Sequence, residues 1–221
     1  MTATPRPQQQ SMFPELRKPV NVGPLVGSVI TGNNADLLAA IAPLYLHGRT
    51  VLDVTYGRGR WWTKYRPESL VFHDIAIDGV DFTDLPYDDK TFDVVCYDPP
   101  YQHGTGTSSS SFEHQHRFGT NRYRNERELT DLMIEGLKEA LRVSADLVLA
   151  KSMRFIVHNQ LFHGPFMLAT EAVQHGYEIY DHIIHHSGVM PGNGWQIRQQ
   201  TRATVRHSDL LVFRRLSCTA R

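Results

Sequence analysis

Asp98-Pro99-Pro100-Tyr101 is the stretch of this 221-residue chain best equipped for chemistry. It follows the near-continuous apolar run Phe92 to Tyr97, so it stands at the carboxyl end of a strand with the pattern of a buried parallel sheet. Tandem prolines remove two backbone donors and stiffen the turn, leaving carbonyl oxygens that point outward unpaired. The Asp98 carboxylate adds a second acceptor, and the Tyr101 ring can stack on a planar base. Paired acceptors beside a stacking surface suit a planar compound carrying an amino group with two N–H donors. The same residues also suit a rigid turn.

A second set of chemical residues lies upstream. Val51-Leu52-Asp53-Val54 runs into Thr55-Tyr56-Gly57-Arg58-Gly59. Glycines there permit a tight turn and let the backbone approach a ligand closely. The Asp53 carboxylate would repel a phosphate and attract an ammonium. Trp62 occupies the third glycine position of the dinucleotide fingerprint, which disfavours a nicotinamide enzyme. Asp74 ends the next strand, where a carboxylate can accept hydrogen bonds from a ribose diol. Asp81 ends the one after, within reach of an adenine amino group, with Phe82 available to cover the ring. Each of these acids equally suits a helix cap or a turn. Three acids closing three successive strands beside a glycine turn still favour a nucleoside site.

The elements that must position these residues alternate. A helix capped by Asn33 or Asn34 carries Leu37, Leu38, Ile41, Leu44 and Tyr45 at helical spacing, and His47-Gly48 ends it. Strands are predicted over Thr50–Val54, Leu70–His73, Gly79–Asp81, Phe92–Tyr97, Asp146–Lys151, Tyr177–Ile184 and Leu210–Arg214. Helices are predicted from Gly59 to Tyr65, over Glu126–Arg142 and over Gln160–His175. The alternation predicts an α/β fold: a doubly wound, mostly parallel, seven-stranded Rossmann-like sheet with helices on both faces. Ligands of such sheets bind beyond the carboxyl ends of the strands, near the topological switch point.

Composition bounds the rest. With 41% hydrophobic and 21% charged residues the chain can bury a core, and its length suits one domain. That domain is expected over 25–216, after a Pro- and Gln-rich flexible arm (1–24) and before a short tail (217–221). No run of about 18 apolar residues suggests a membrane span, and two cysteines frame neither a disulfide scaffold nor a cysteine-rich zinc site. A cytoplasmic, metal-free domain without a membrane partner is the expectation. The 23 basic and 23 acidic side chains balance, so overall charge gives no pull toward nucleic acid. Local runs differ. Arg117, Arg122 and Arg124 stand among Phe112, Phe118 and Tyr123, and Arg198, Arg202 and Arg206 form a second cluster. A solvated loop is the plainer account of each.

The glycine turn, with Val80-Asp81-Phe82-Thr83-Asp84-Leu85-Pro86 leading into Phe92-Asp93-Val94-Val95, resembles the class I S-adenosylmethionine-dependent methyltransferases. Asp98-Pro99-Pro100-Tyr101 is similar to the catalytic motif of amino-methyltransferases acting on DNA, mainly adenine-N6 and less often cytosine-N4 enzymes. The resemblance spans Thr50 to Arg215; Lys151 and the stretch His207 to Phe213 look like the family's closing strands. It implies S-adenosyl-L-methionine as cofactor, with Asp53, Thr55, Gly57 and Gly59 around its methionine portion, Asp74 at the ribose, and Asp81 and Phe82 at the adenine. It also implies that Asp98 and the Pro99 carbonyl each accept one N–H of the target base. That pulls the nitrogen toward a tetrahedral shape and aims its lone pair at the methyl group. Aligned attack of this kind contributes roughly 7–11 kcal/mol.

The chain departs from the family in three ways. Arg60-Trp61-Trp62 stands where a small residue is usual. Thr31-Gly32-Asn33 is the nearest counterpart of a separate N-terminal cofactor motif. Only 38 residues separate Gly59 from Asp98, too few for a recognition domain there. The Gly/Ser-rich segment 102–125 is then expected to act as a mobile substrate loop, with Arg117, Arg122 and Arg124 binding DNA phosphates around a flipped base. RNA as substrate, and a catalytically silent subunit supporting a partner, remain the alternatives at this stage. His73, His182, His185 and His186 are expected to be ordinary surface or strand-end residues.

Overall fold

The structure is a computed structural model that describes residues 25–100, 126–157, 160–188, 203 and 205–217. The first helix, α1 (Asn34–Tyr45), starts as the sequence predicts. The Asn33 side chain accepts from the Ala35 and Asp36 amides, and Asp36 accepts from the Asn33 amide in return, a reciprocal capping box. Strands β2 (Thr50–Asp53), β3 (Ser69–Phe72) and β4 (Phe92–Tyr97) follow, then α2 (Glu126–Val143) and β5 (Ser144–Ser152). A hairpin of β6 (Arg154–Val157) and β7 (Gln160–His163) precedes α3 (Gly164–Gln174), β8 (Tyr177–His186) and β9 (Ser208–Arg215).

With β1 (Val29–Thr31), these strands form one seven-stranded sheet in the order β1-β8-β9-β5-β4-β2-β3. Four neighbouring pairs are parallel; β9 runs antiparallel to both β5 and β8. Side chains alternate across it. Leu52, Val95, Tyr97, Val148, Ala150, Leu211 and Phe213 pack with α2 and α3, while Val51, Val94, Cys96, Leu149, Leu210 and Val212 pack with α1 and the two tryptophans. Both faces are covered, which makes this a doubly wound, Rossmann-like α/β sheet.

Three sequence expectations are corrected. The predicted strand over Gly79–Asp81 does not form. Asp78 takes the Val80 amide, a donor that a ladder would need, and Asp81 folds the chain onward by taking the Thr83 amide and hydroxyl. The seventh strand is instead β1, on the opposite edge. The predicted helix to Tyr65 is a single 3-10 turn, Arg60–Trp62, entered through Gly59 in the left-handed region (φ 65°). Gln160–His163 is a strand paired with Arg154–Val157, and helix α3 begins only at Gly164, with Pro165 in its first turn. The arm 1–24, the loop 102–125 and the tail beyond Ser217 lie outside the described residues. No helix among those described is long and apolar enough to cross a membrane.

Candidate functional site

The chain leaves β2 toward β3 on one side and returns to β4 on the other, so the switch point of the sheet falls between the carboxyl ends of β2 and β4. Asp53 is the last residue of β2, and Asp98 follows the last residue of β4. The two ends are stitched together. The Val54 amide donates to the Cys96 carbonyl (3.2 Å), and the Asp98 amide donates to Thr55 Oγ1 (2.8 Å).

Asp53 is 3% exposed, with both carboxylate oxygens engaged. Oδ1 accepts from the Thr55 amide (3.0 Å) and Oδ2 from the Trp62 indole (2.7 Å). Burial pushes its pKa up to about 7; Trp62 and Thr55 work against that, and the charges of Asp98 and Asp74 add to it. The sequence reading offers this carboxylate to a ligand ammonium and treats Trp62 as an obstruction. The structure instead makes Trp62 the partner of Asp53, and both brace the turn from inside.

The glycine turn is braced from its other side as well. Asp74 Oδ2 accepts from the Gly57 amide (2.8 Å) and Oδ1 from the Ala76 amide (2.9 Å). Gly57 holds a φ of 58°, and a Cβ there would meet only the Thr55 carbonyl, at an ordinary contact distance of 3.9 Å. At Gly59 a Cβ would strike the Tyr56 hydroxyl at 2.5 Å. His73 links the next loop by bridging Asp78 (2.6 Å) and Tyr87 (2.5 Å).

Asp81 anchors a turn through Thr83, the plainer of the two roles open to it from sequence. Phe82 lies edge-on to Tyr97 (centroids 5.7 Å apart), beside the carboxyl end of β4. Both rings rest on Gly136 of α2, where a Cβ would come within 2.4 Å of Phe82 and 2.5 Å of the Tyr97 hydroxyl. Tyr97 donates that hydroxyl to the Met133 carbonyl (2.8 Å).

Asp98 differs from all of these acids. Its side chain is 20% exposed, yet Oδ1 is buried and accepts no hydrogen bond from the described residues. Burial raises its pKa, opposed first by Lys151 and then by a hydrogen bond from the Trp61 side chain. The tandem tryptophans thus serve the two switch-point acids, Trp61 for Asp98 and Trp62 for Asp53. Pro99 is buried and Pro100 half-buried behind Asp98. Tyr101, Arg117, Arg122 and Arg124 lie outside the described residues.

Asp53, Thr55, Gly57, Asp74 and Asp98 therefore share one edge of the sheet, with Phe82 alongside. Sequence reasoning saw Trp61, Trp62 and Lys151 without giving them these partners. An indole nine positions after an acid is a legible signal only once the short turn between them is known.

No family model and no curated protein matches the chain. Among solved structures, the crystal structure of PH0226 protein from Pyrococcus horikoshii OT3 is similar, with a TM-score of 0.40 and 12% identity over 81% of this chain and 88% of that one.

Proposed function

We propose that this chain transfers a methyl group from S-adenosyl-L-methionine to the exocyclic amino group of a base in DNA, adenine N6 first and cytosine N4 second. The observation that carries the reading is Asp98 Oδ1, a buried acceptor at the switch point of a doubly wound sheet that has no hydrogen-bond partner among the described residues. A buried polar atom left unsatisfied costs about 1–3 kcal/mol, and such atoms recur where a ligand supplies the missing partner. An amino N–H is the donor that an acidic acceptor followed by two prolines would take.

The donor set fits the cofactor in part. The uncrowded Gly57 turn, the Asp74 carboxylate and the Asp81-Phe82 corner would hold S-adenosyl-L-methionine, whose bound sulfonium supplies an electrophilic methyl group. Asp53 braces this turn through Thr55 and Trp62 and is not the ammonium partner in this reading. Asp98 accepts one N–H of the base, the carbonyl of Pro99 the other, and Thr55 fixes Asp98 from behind through its amide. Tyr101 would stack on the base, and Arg117, Arg122 and Arg124 would hold phosphates.

The test is to incubate the protein with unmethylated genomic DNA and methyl-labelled cofactor, then identify the modified nucleoside. Label in N6-methyldeoxyadenosine is the expected result. Label only in RNA under matched conditions overturns DNA as the substrate, and cofactor binding without transfer to either favours a silent subunit.

A further inference from the structure

β5 lies beside β4, and Lys151 stands near its carboxyl end. The Lys151 side chain is 4% exposed, and Nζ is 3.8 Å from Asp98 Oδ1. That separation is too long for a hydrogen bond, but in a buried setting it is short enough for strong charge–charge coupling.

The charge on Asp98 decides what it can recognise. A carboxylate only accepts hydrogen bonds, whereas a carboxylic acid also donates one. Bases divide the same way, since adenine and cytosine carry an amino donor where other bases carry an oxo acceptor. We propose that Lys151 is a positioning residue that keeps Asp98 an acceptor-only carboxylate, so that the crevice selects amino-bearing over oxo-bearing bases. The ligand in this inference rests on the amino-transfer reading above; the Lys151–Asp98 pairing does not.

The surroundings make Asp98 depend on this lysine. Burial favours its neutral form, and Lys151 leads the opposing influences, ahead of the uncharged Trp61 indole. Asp53 of β2 couples to Asp98 as a like charge, and Tyr97 precedes it on β4. From β8, His185 faces Lys151, and burial and that lysine both hold it toward the neutral ring. Thr55 contributes a hydroxyl to the Asp98 amide and no charge.

The experiment uses the full chain with Lys151→Met, Lys151→Gln and Lys151→Arg; the glutamine variant replaces the methionine one if the latter does not fold. Two readouts are taken: the carbon-13 carboxyl titration of Asp98, assigned with Asp98→Asn, and binding of single-stranded oligonucleotides bearing one adenine or one hypoxanthine. Wild type and Lys151→Arg are expected to prefer adenine. In the uncharged variants the Asp98 carboxyl should titrate at higher pH, and the adenine preference at neutral pH should fall about tenfold, the factor that one pH unit represents. An unmoved carboxyl titration overturns the proposal, and so does a moved titration with an unchanged preference. A wild type that binds neither oligonucleotide, with the titration still shifted by Lys151→Met, overturns the amino-transfer reading and retains the pairing.

Discussion

Two stretches of the same sheet edge treat their polar residues in opposite ways. At the β8–β9 end, His182 pairs with Asp209 (2.7 Å), and His185 bonds the Gly32 carbonyl (2.9 Å) with Ser208 3.4 Å from its other ring nitrogen. At the β4–β5 end, Asp98 Oδ1, Ser152 Oγ and Arg154 Nε are buried with no hydrogen-bond partner among the described residues. One end closes its polar groups on each other; the other leaves acceptors and donors unmet. Buried polar side chains stand in both places, Asp209, His185 and Ser208 at one and Ser152 and Lys151 at the other, so burial alone does not distinguish a site from a strut. Unfinished hydrogen bonding does.

The sharpest way to break this contrast is to remove an acid from each end. Asp98→Ala should lower methyl transfer by about 10²-fold or more, the scale on which a lost electrostatic contact slows a reaction, while cofactor affinity stays nearly unchanged. Loss of both in parallel would make Asp98 a structural residue, which cofactor titration beside the transfer assay would reveal.

Acid titration probes the braced side of the crevice. Asp53 ionises near 3.8 in an unfolded chain and at about 7 when folded. Between those values the unfolded chain binds fewer protons, so this group makes stability fall as pH rises from 4 to 7, by at most about 1.4 kcal/mol per pH unit. Asp53→Asn should flatten that slope in urea denaturation curves. Asp98 shifts in the same direction and should leave a remainder.

At the closed end, Asp209→Ala removes the partner of His182 from a buried position. It should cost about 1–3 kcal/mol of stability, with transfer per folded molecule unchanged. A large loss of transfer by the folded variant would extend the site to β9. Smallest of all is Gly136→Ala. Contact with Phe82 and Tyr97 costs about 1–3 kcal/mol, and improved helix propensity returns up to about 1 kcal/mol. Thermal unfolding should show the net loss, together with weaker cofactor binding if Phe82 covers the adenine.

Much of the frame was legible because local signals and burial agree. Asn33 and Asp36 specify their own cap, and Phe92 to Tyr97, Asp93 apart, is apolar on both faces because helices cover both. The strand over Gly79–Asp81 failed where Asp78 took the Val80 amide from the ladder. Val29–Thr31 was missed because three residues carry no period, and only the neighbouring β8 makes them a strand. The helix from Gly59 failed because Trp61 and Trp62 find deeper burial and acidic partners in a tighter turn.

The sequence by itself determined which residues could do chemistry, that acids stand at the carboxyl ends of β2 and β4, and that the layers alternate, since periodicity and turn chemistry act over a few neighbours. Only the tertiary structure decided what each acid does. Asp53 and Asp98 are 45 positions apart in the chain, and their difference lies in partners from other elements: Trp62 and Thr55 satisfy one, while Trp61 and Lys151 leave an oxygen of the other unfilled. Hydrogen-bond completion and charge coupling are set by distances through space, which chain order does not record.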